Sequence, residues 1–125
     1  MFQVLLVAIG GGLGATLRYL ANLGALKWLG TNALWGTAGI NIVGSFAMGL
    51  FIEFLARRLG GSPELRLFVA TGILGGFTTF SAFSLDAMLM FERGEMGLAL
   101  GYVLASVVLS ILALALGLAL VRGLT

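Results

Sequence analysis

Four long apolar stretches, joined by short polar connections, constrain this chain more than any other feature. A helix needs about 20 apolar residues to cross the hydrocarbon core of a bilayer. The chain is therefore predicted to be an all-α membrane protein with four transmembrane helices, in approximate spans 2–23, 34–55, 67–91 and 96–121. The connections are too short for a soluble domain, so residues 1–125 are predicted to form a single transmembrane domain.

The composition excludes several functional classes. Charged residues make up 10% of the chain, whereas a soluble domain carries about 25%. The chain has no Cys and no His, which excludes disulfides, thiol chemistry and His-ligated metals. Carboxylates are scarce and no nucleophile–base pair is evident, so we predict neither an enzyme nor a nucleic-acid partner. The first apolar stretch lacks a basic leader region and a cleavage site, and is predicted to remain as a transmembrane helix.

The third stretch contains a polar interruption, Gly-Ile-Leu-Gly-Gly-Phe-Thr-Thr-Phe-Ser-Ala-Phe-Ser, over residues 72–84. Gly75 and Gly76 favour a break in the helix, and hydroxyl side chains follow directly. Non-helical backbone at membrane depth is tolerated only where protein covers it or where it lines a watery cavity. We therefore predict a broken third helix between Gly75 and Thr79 that forms part of a transport site. Carbonyls freed there can bind a hard cation, and the alternative is a plain kink.

Three of the spans also carry a face that lipid would not favour. Residues three or four apart share one face of a helix, and small residues on such a face allow close helix packing. A small bundle cannot hide all of these faces, which predicts a dimer. The faces comprise Gly10, Gly14, Arg18 and Asn22 in the first span, Thr37, Asn41 and Ser45 in the second, and Tyr102, Ser106, Ser110, Ala113 and Gly117 in the fourth.

Each candidate polar or aromatic residue has a structural alternative. Asn41 either forms a helix–helix hydrogen bond or belongs to a polar pathway. The hydroxyls of Tyr102, Ser106 and Ser110 either bond to their own backbone or form a ladder of donors for an anion that must leave again quickly. Phe80 and Phe83 either pack in a core or turn their partly positive ring edges toward a small anion.

Charged residues give a weak topology signal. The side that holds both termini carries Arg57, Arg58, Arg66 and Arg122, whereas the other side carries Lys27 and Arg93. This small margin is compatible with insertion in both orientations, and hence with antiparallel self-pairing. Arg18 either snorkels to the membrane edge or attracts anions to a vestibule. Asp86 requires a partner at its depth in the third span.

Three motifs, in order, resemble the Fluc (CrcB) family of fluoride channels. Gly-Gly-Phe-Thr-Thr-Phe-Ser-Ala-Phe-Ser at 75–84 resembles the signature of its third helix. Gly-Gly-Gly-Leu-Gly-Ala-Thr-Leu-Arg-Tyr at 10–19 resembles its first-helix motif, and Gly-Thr-Ala-Gly-Ile-Asn-Ile-Val-Gly-Ser-Phe at 36–46 its second-helix motif. The resemblance covers nearly the whole chain. Relatives often have Thr at the position of Ala82, and some have the longer Glu at the position of Asp86.

The resemblance implies an antiparallel, dual-topology homodimer in the inner cell membrane that passively lowers cytoplasmic fluoride through two pores. It implies a structural sodium ion at the dimer centre, held by the backbone carbonyls of Gly75 and Thr78. Arg18 would match the vestibule arginine. The residues of the fluoride pore would be Asn41, Phe80, Phe83, Thr79, Ser81, Ser84, Tyr102, Ser106 and Ser110.

Two other classes compete with this hypothesis. A small dual-topology multidrug transporter also has four short spans, but its proton exchange requires a carboxylate within the first span, and this chain has none there. A structural subunit without transport would explain the glycines but not the aligned polar faces.

Overall fold

The computed structural model describes residues 1–30 and 33–124, and all of their regular structure is helical. The first, second and fourth spans are the continuous helices α1 (Phe2–Leu29), α2 (Ala33–Arg58) and α6 (Met96–Leu124). The third comprises α3 (Pro63–Leu65), a π-helical segment π1 (Arg66–Leu74), α4 (Gly75–Phe77) and α5 (Phe80–Glu92). Within the described ranges, four stretches are long and apolar enough to cross a membrane, as predicted.

The helices extend beyond the predicted spans because polar residues near membrane edges are also helical. α1 continues to Leu29, so that much of the predicted first connection is helical, while residues 31 and 32 of that connection lie outside the described residues. The second connection follows the local sequence signals closely. Gly60 and Gly61 have positive φ angles, and the Ser62 hydroxyl accepts a hydrogen bond from the Leu65 amide, so it caps a helix that begins at Pro63.

α1 packs tightly against the first half of the third span. A Cβ atom on Gly76 would lie 2.6 Å from the carbonyl oxygen of Gly11, and one on Gly72 would lie 2.9 Å from the Cα of Gly10. Gly14 is equally constrained, because a Cβ there would lie 2.8 Å from the Phe77 amide nitrogen. The glycines at four-residue spacing therefore allow backbone-to-backbone contact, as their sequence pattern predicts.

α2 and α6 pack along each other, again through glycine. A Cβ atom on Gly117 would lie 2.5 Å from the Phe46 carbonyl oxygen. At the end of this contact, the Glu53 carboxylate pairs with Nε of Arg57 at 2.7 Å and with Nε of Arg122 at 3.1 Å. Glu53 therefore ties the end of α2 to the end of α6.

A small apolar core joins α2, α5 and α6. Met90 is fully buried, and Phe83 and Tyr102 are nearly so. By contrast, many large apolar side chains on α1, α2, α5 and α6 point outward, as suits helices surrounded by lipid or by a second protein chain. The buried cluster places the start of α5 against α2 and α6, where the predicted polar residues lie. Its members are Ala38, Phe83, Met90, Ala99 and Tyr102.

The interruption of the third span is narrower than predicted. Gly75 is helical, with φ −63° and ψ −38°, and α4 continues through Gly76 to Phe77. The backbone becomes extended only at Thr78 and Thr79, with ψ angles of 158° and 124°. The expectation that the glycine pair itself breaks the helix is therefore wrong. Gly76 serves close packing against α1, and the break follows it at the two threonines.

Candidate functional site

Asn41 of α2 binds the backbone at the break through both ends of its amide group. Its Oδ1 accepts a hydrogen bond from the Thr79 amide at 2.8 Å, and its Nδ2 donates to the Thr79 carbonyl oxygen at 3.0 Å. In an unbroken α-helix the Thr79 amide would bond to the carbonyl of Gly75. Asn41 therefore replaces helical hydrogen bonding at the break. Its second amide hydrogen is not used by this pair.

Arg18 of α1 binds the last turn before the break. Its Nε donates to the carbonyl oxygen of Gly76 at 3.0 Å, and the side chain is partly buried. That carbonyl would bond to the Phe80 amide in an unbroken α-helix. The sequence suggested snorkelling or a vestibule charge for Arg18. Its hydrogen bond to Gly76 was missed, because the pairing requires knowledge of where the two helices touch.

Aromatic rings form a short chain beyond the break. The centroids of Phe80 and Phe83 are 5.5 Å apart, and those of Phe83 and Tyr102 are 5.4 Å apart, with the rings tilted in both pairs. Phe80 is 77% exposed, whereas Phe83 is 7% exposed. The two phenylalanines share a face as their spacing predicts, but one of them is packed in the core and the other projects from the protein surface.

A groove of about 330 Å³ runs between the break, α2 and α6. It brings together six of the nine predicted pore residues, and apolar side chains complete its walls. Gly44 also lies on it, where the absence of a side chain allows close approach of the Thr78 methyl group. The residues that line the groove are Asn41, Gly44, Ser45, Met48, Thr78, Thr79, Phe80, Phe83, Ser106, Val107, Ser110, Ile111 and Leu114.

The lining of the groove is mostly apolar, with a few hydroxyl and amide groups, and no described residue that lines it carries a formal charge. The hydroxyl oxygen of Ser106 is buried, and among the described residues it has no hydrogen-bond partner. Buried polar atoms in proteins are nearly always paired, so an orphan hydroxyl beside a groove indicates a place for water or for a ligand. Ser106 and Asn41 thus both offer donor capacity to this groove.

Three hydroxyls near the break, those of Thr78, Thr79 and Ser84, form hydrogen bonds with the backbone. The Thr78 hydroxyl donates to the Leu74 carbonyl at 3.0 Å, and the Ser84 hydroxyl donates to the Phe80 carbonyl at 2.9 Å. Thr79 caps α5, because its hydroxyl oxygen accepts from the Ala82 amide at 3.2 Å. Its hydroxyl also lies 3.3 Å from that of Ser81. Neither Ser81 nor Ser84 lines the groove.

Tyr102 faces a second cavity, also of about 330 Å³, between α2 and α6. Its hydroxyl donates to Oδ2 of Asp86 at 3.1 Å. The Asp86 carboxylate, whose partner the sequence did not reveal, is therefore paired with a residue of the predicted polar ladder. Gly97 and Gly101 line this cavity and have open space where a Cβ would lie, so no described residue packs closely against this glycine pair.

Backbone oxygens at the break are candidate ligands for a cation. Among the described residues, no group of three or more carboxylate, imidazole or thiol side chains is placed to hold a metal ion. The carbonyl of Gly75 has lost the Thr79 amide as its α-helical donor, since that amide bonds to Asn41. The extended conformation of Thr78 turns its carbonyl away from the helical direction. Both are hard oxygen donors of the kind that alkali cations prefer.

The comparisons with a family model and with individual known proteins agree with each other. The family described as CrcB-like protein, Camphor Resistance (CrcB), matches residues 5–118. A protein of Mesorhizobium japonicum named fluoride-specific ion channel FluC is 65% identical over 124 residues, which is 99% of each chain. Proteins with the same name from Agrobacterium fabrum and from a Chelativorans species are 55% and 54% identical, over 99% and 98% of each chain.

Proposed function

Because this chain belongs to the CrcB-like family, we propose that it is a multi-pass membrane protein that conducts fluoride selectively. The observation that carries the proposal is its high identity, along the whole chain, to proteins named fluoride-specific ion channel. The proposed transport is passive and lowers fluoride in the cytoplasm, with the protein in the inner cell membrane. No chemical reaction is part of this activity.

The groove beside the break has chemistry that suits a small anion. Among the described residues, the Ser106 hydroxyl has no hydrogen-bond partner, Asn41 keeps one amide hydrogen outside its pair with Thr79, and no charged side chain lines the walls. Neutral donors can replace part of the hydration shell of fluoride without holding the ion as firmly as a fixed cation would, and conduction requires release as well as binding. The partly positive ring edges of Phe80 and Phe83 would add weak stabilisation along the same wall.

We further propose that the working unit is an antiparallel homodimer with dual topology. Phe80 is largely exposed although it borders the groove, so one chain leaves this part of the proposed pathway uncovered. A second copy would cover Phe80 and close the groove into a pore, giving two pores per dimer by symmetry. The nearly balanced distribution of positive charge between the two sides of the spans is compatible with insertion in both orientations.

The residues at the break also fit a structural sodium ion. Its proposed ligands are the backbone carbonyl oxygens of Gly75 and Thr78, one pair from each chain of the dimer. Such an ion would neutralise the negative ends of these carbonyl dipoles where two breaks meet. Arg18 and Asn41 hold the flanking backbone through Gly76 and Thr79, and thereby keep the intervening carbonyls in a defined arrangement.

Growth in fluoride tests the proposed role. A bacterium deprived of its own fluoride exporter should regain growth at inhibitory fluoride concentrations when it expresses this chain. It should fail to do so when it expresses the Phe80→Ile variant at equal membrane abundance. Equal growth with and without the chain, with the protein present in the membrane, would contradict the proposal.

A further inference from the structure

We propose that Arg18 is a positioning residue, which holds the helix break through its hydrogen bond to Gly76, and that this bond rather than its charge is what the protein requires from it. The break removes the Phe80 amide as the donor for the Gly76 carbonyl. Arg18 Nε occupies the donor position at 3.0 Å. This inference concerns the break itself and does not depend on which ion permeates.

The packing of α1 explains why Arg18 can reach this carbonyl. Gly14 lies one turn before Arg18 on the same face, and it brings the two backbones so close that a Cβ would lie 2.8 Å from the Phe77 amide nitrogen. Gly76 packs against α1 in the same way, because a Cβ atom added there would lie 2.6 Å from the carbonyl oxygen of Gly11. This contact fixes α1 relative to α4, and it thereby places the Arg18 guanidinium group within hydrogen-bonding distance of the Gly76 carbonyl oxygen.

Two helices therefore hold the break at neighbouring residues. α1 supplies Arg18 to Gly76, and α2 supplies Asn41 to Thr79. Between these two anchored residues lie Phe77 and Thr78, and directly after them comes Phe80, whose ring borders the groove. Loss of the Arg18 bond would free the end of α4 and so disturb the position of Thr78 and Phe80 without removing any group that lines the groove.

The chemistry of side chains separates positioning from charge. In glutamine, Nε2 is the same number of bonds from the backbone as Nε in arginine, so Arg18→Gln keeps a donor at the same reach and removes the charge. Arg18→Lys keeps the charge and places its donor one bond farther out. Arg18→Met keeps a side chain of similar bulk and removes both the hydrogen-bond donor and the positive charge. A residue that acts only as a vestibule cation would be replaced best by lysine.

Amide hydrogen exchange of residues 76–82, measured by mass spectrometry on the protein in lipid nanodiscs, tests this directly. We expect Arg18→Met to exchange about tenfold faster in this segment, because the hydrogen bond to the Gly76 carbonyl is lost. Arg18→Gln should exchange nearly as slowly as the unchanged protein, and Arg18→Lys should fall between the other two variants. Lys27→Gln, which neutralises a cation elsewhere on α1, is the matched control and should change nothing.

Fluoride flux at low and high ionic strength provides a second readout. The proposal predicts that Arg18→Gln retains more flux than Arg18→Lys at both ionic strengths. Greater flux or slower exchange in Arg18→Lys than in Arg18→Gln would overturn it, and so would unchanged exchange in Arg18→Met. If Arg18→Met does not fold, the exchange and flux of Arg18→Gln compared with those of Arg18→Lys still test the proposal. If the unchanged protein passes no fluoride, the proposed function fails while the exchange comparison still tests Arg18.

Discussion

Asn41 and Thr79 are joined by two hydrogen bonds of opposite sense, so that one side chain satisfies both the amide and the carbonyl of a residue outside any helix. Asparagine suits this role because its amide group presents a donor and an acceptor side by side. Within a membrane, a backbone group left unpaired has no water to replace its partner. The same side chain also lines the groove, which joins the structure of the break to the proposed pathway.

Replacement of Asn41 by aspartate should block fluoride flux. An ionised carboxylate can accept from the Thr79 amide but cannot donate to its carbonyl, and it places a negative charge on the wall of an anion pathway. Proteoliposome flux measures the effect. Asn41→Ala is the comparison, because it removes both hydrogen bonds and adds no charge. Normal fluoride flux in Asn41→Asp would show that Asn41 takes no part in fluoride conduction.

Replacement of Phe80 by isoleucine should cripple flux and leave the protein folded. The ring is 77% exposed in the single chain, and substitutions at exposed positions usually change the free energy of unfolding by about 0.5 kcal/mol or less. Flux and size-exclusion chromatography together provide the readout. Phe91→Ile, at another exposed ring of α5, is the matched control and should conduct normally. An unchanged rate of fluoride flux in Phe80→Ile would show that the Phe80 ring contributes only to packing.

Replacement of Tyr102 by phenylalanine should destabilise the fold through Asp86. The change leaves a carboxylate without its hydroxyl donor inside a membrane-spanning segment, at a cost of about 1–3 kcal/mol. Combining it with Asp86→Ala should cost less than the sum of the two single changes, because both remove the same bond. Unfolding of the four proteins in one detergent would measure this coupling. Strictly additive effects would show that the pair contributes nothing as a pair.

Replacement of Gly14 by alanine should destabilise the contact between α1 and α4. An added Cβ would overlap the Ile73 carbonyl and lie 2.8 Å from the Phe77 amide nitrogen, and overpacking of this kind costs about 1–3 kcal/mol. Gly24→Ala is the matched control in the same helix, where a Cβ meets no atom within 4 Å. Thermal unfolding should separate the two variants, and equal stability would contradict the tight packing described for α1.

The sequence was sufficient for the parts of the fold that depend on composition and local signals. Long apolar stretches identified the four spans, and Ser62 followed by Pro63 is a local sequence signal for the helix start that the structure shows. The glycine spacing of α1 predicted close packing correctly. These features depend on residues near one another in the chain, or on the simple requirement that a span be apolar.

Features that depend on contacts between distant segments could not be predicted. The glycine pair at 75–76 led to the prediction of a break, yet both residues are helical. Gly76 uses its lack of a side chain for close packing against α1. The break lies where Asn41 supplies hydrogen bonds, and nothing near Thr79 in the sequence reveals that partner. The pairing of Arg18 with Gly76 and of Asp86 with Tyr102 was hidden for the same reason.

Fluoride efflux from proteoliposomes loaded with both fluoride and chloride, followed with ion-selective electrodes, tests the central claim most directly. The account predicts fast release of fluoride on addition of the protein, while chloride stays inside the vesicles. Retention of fluoride by vesicles that contain folded protein would contradict it, and so would release of both anions at similar rates.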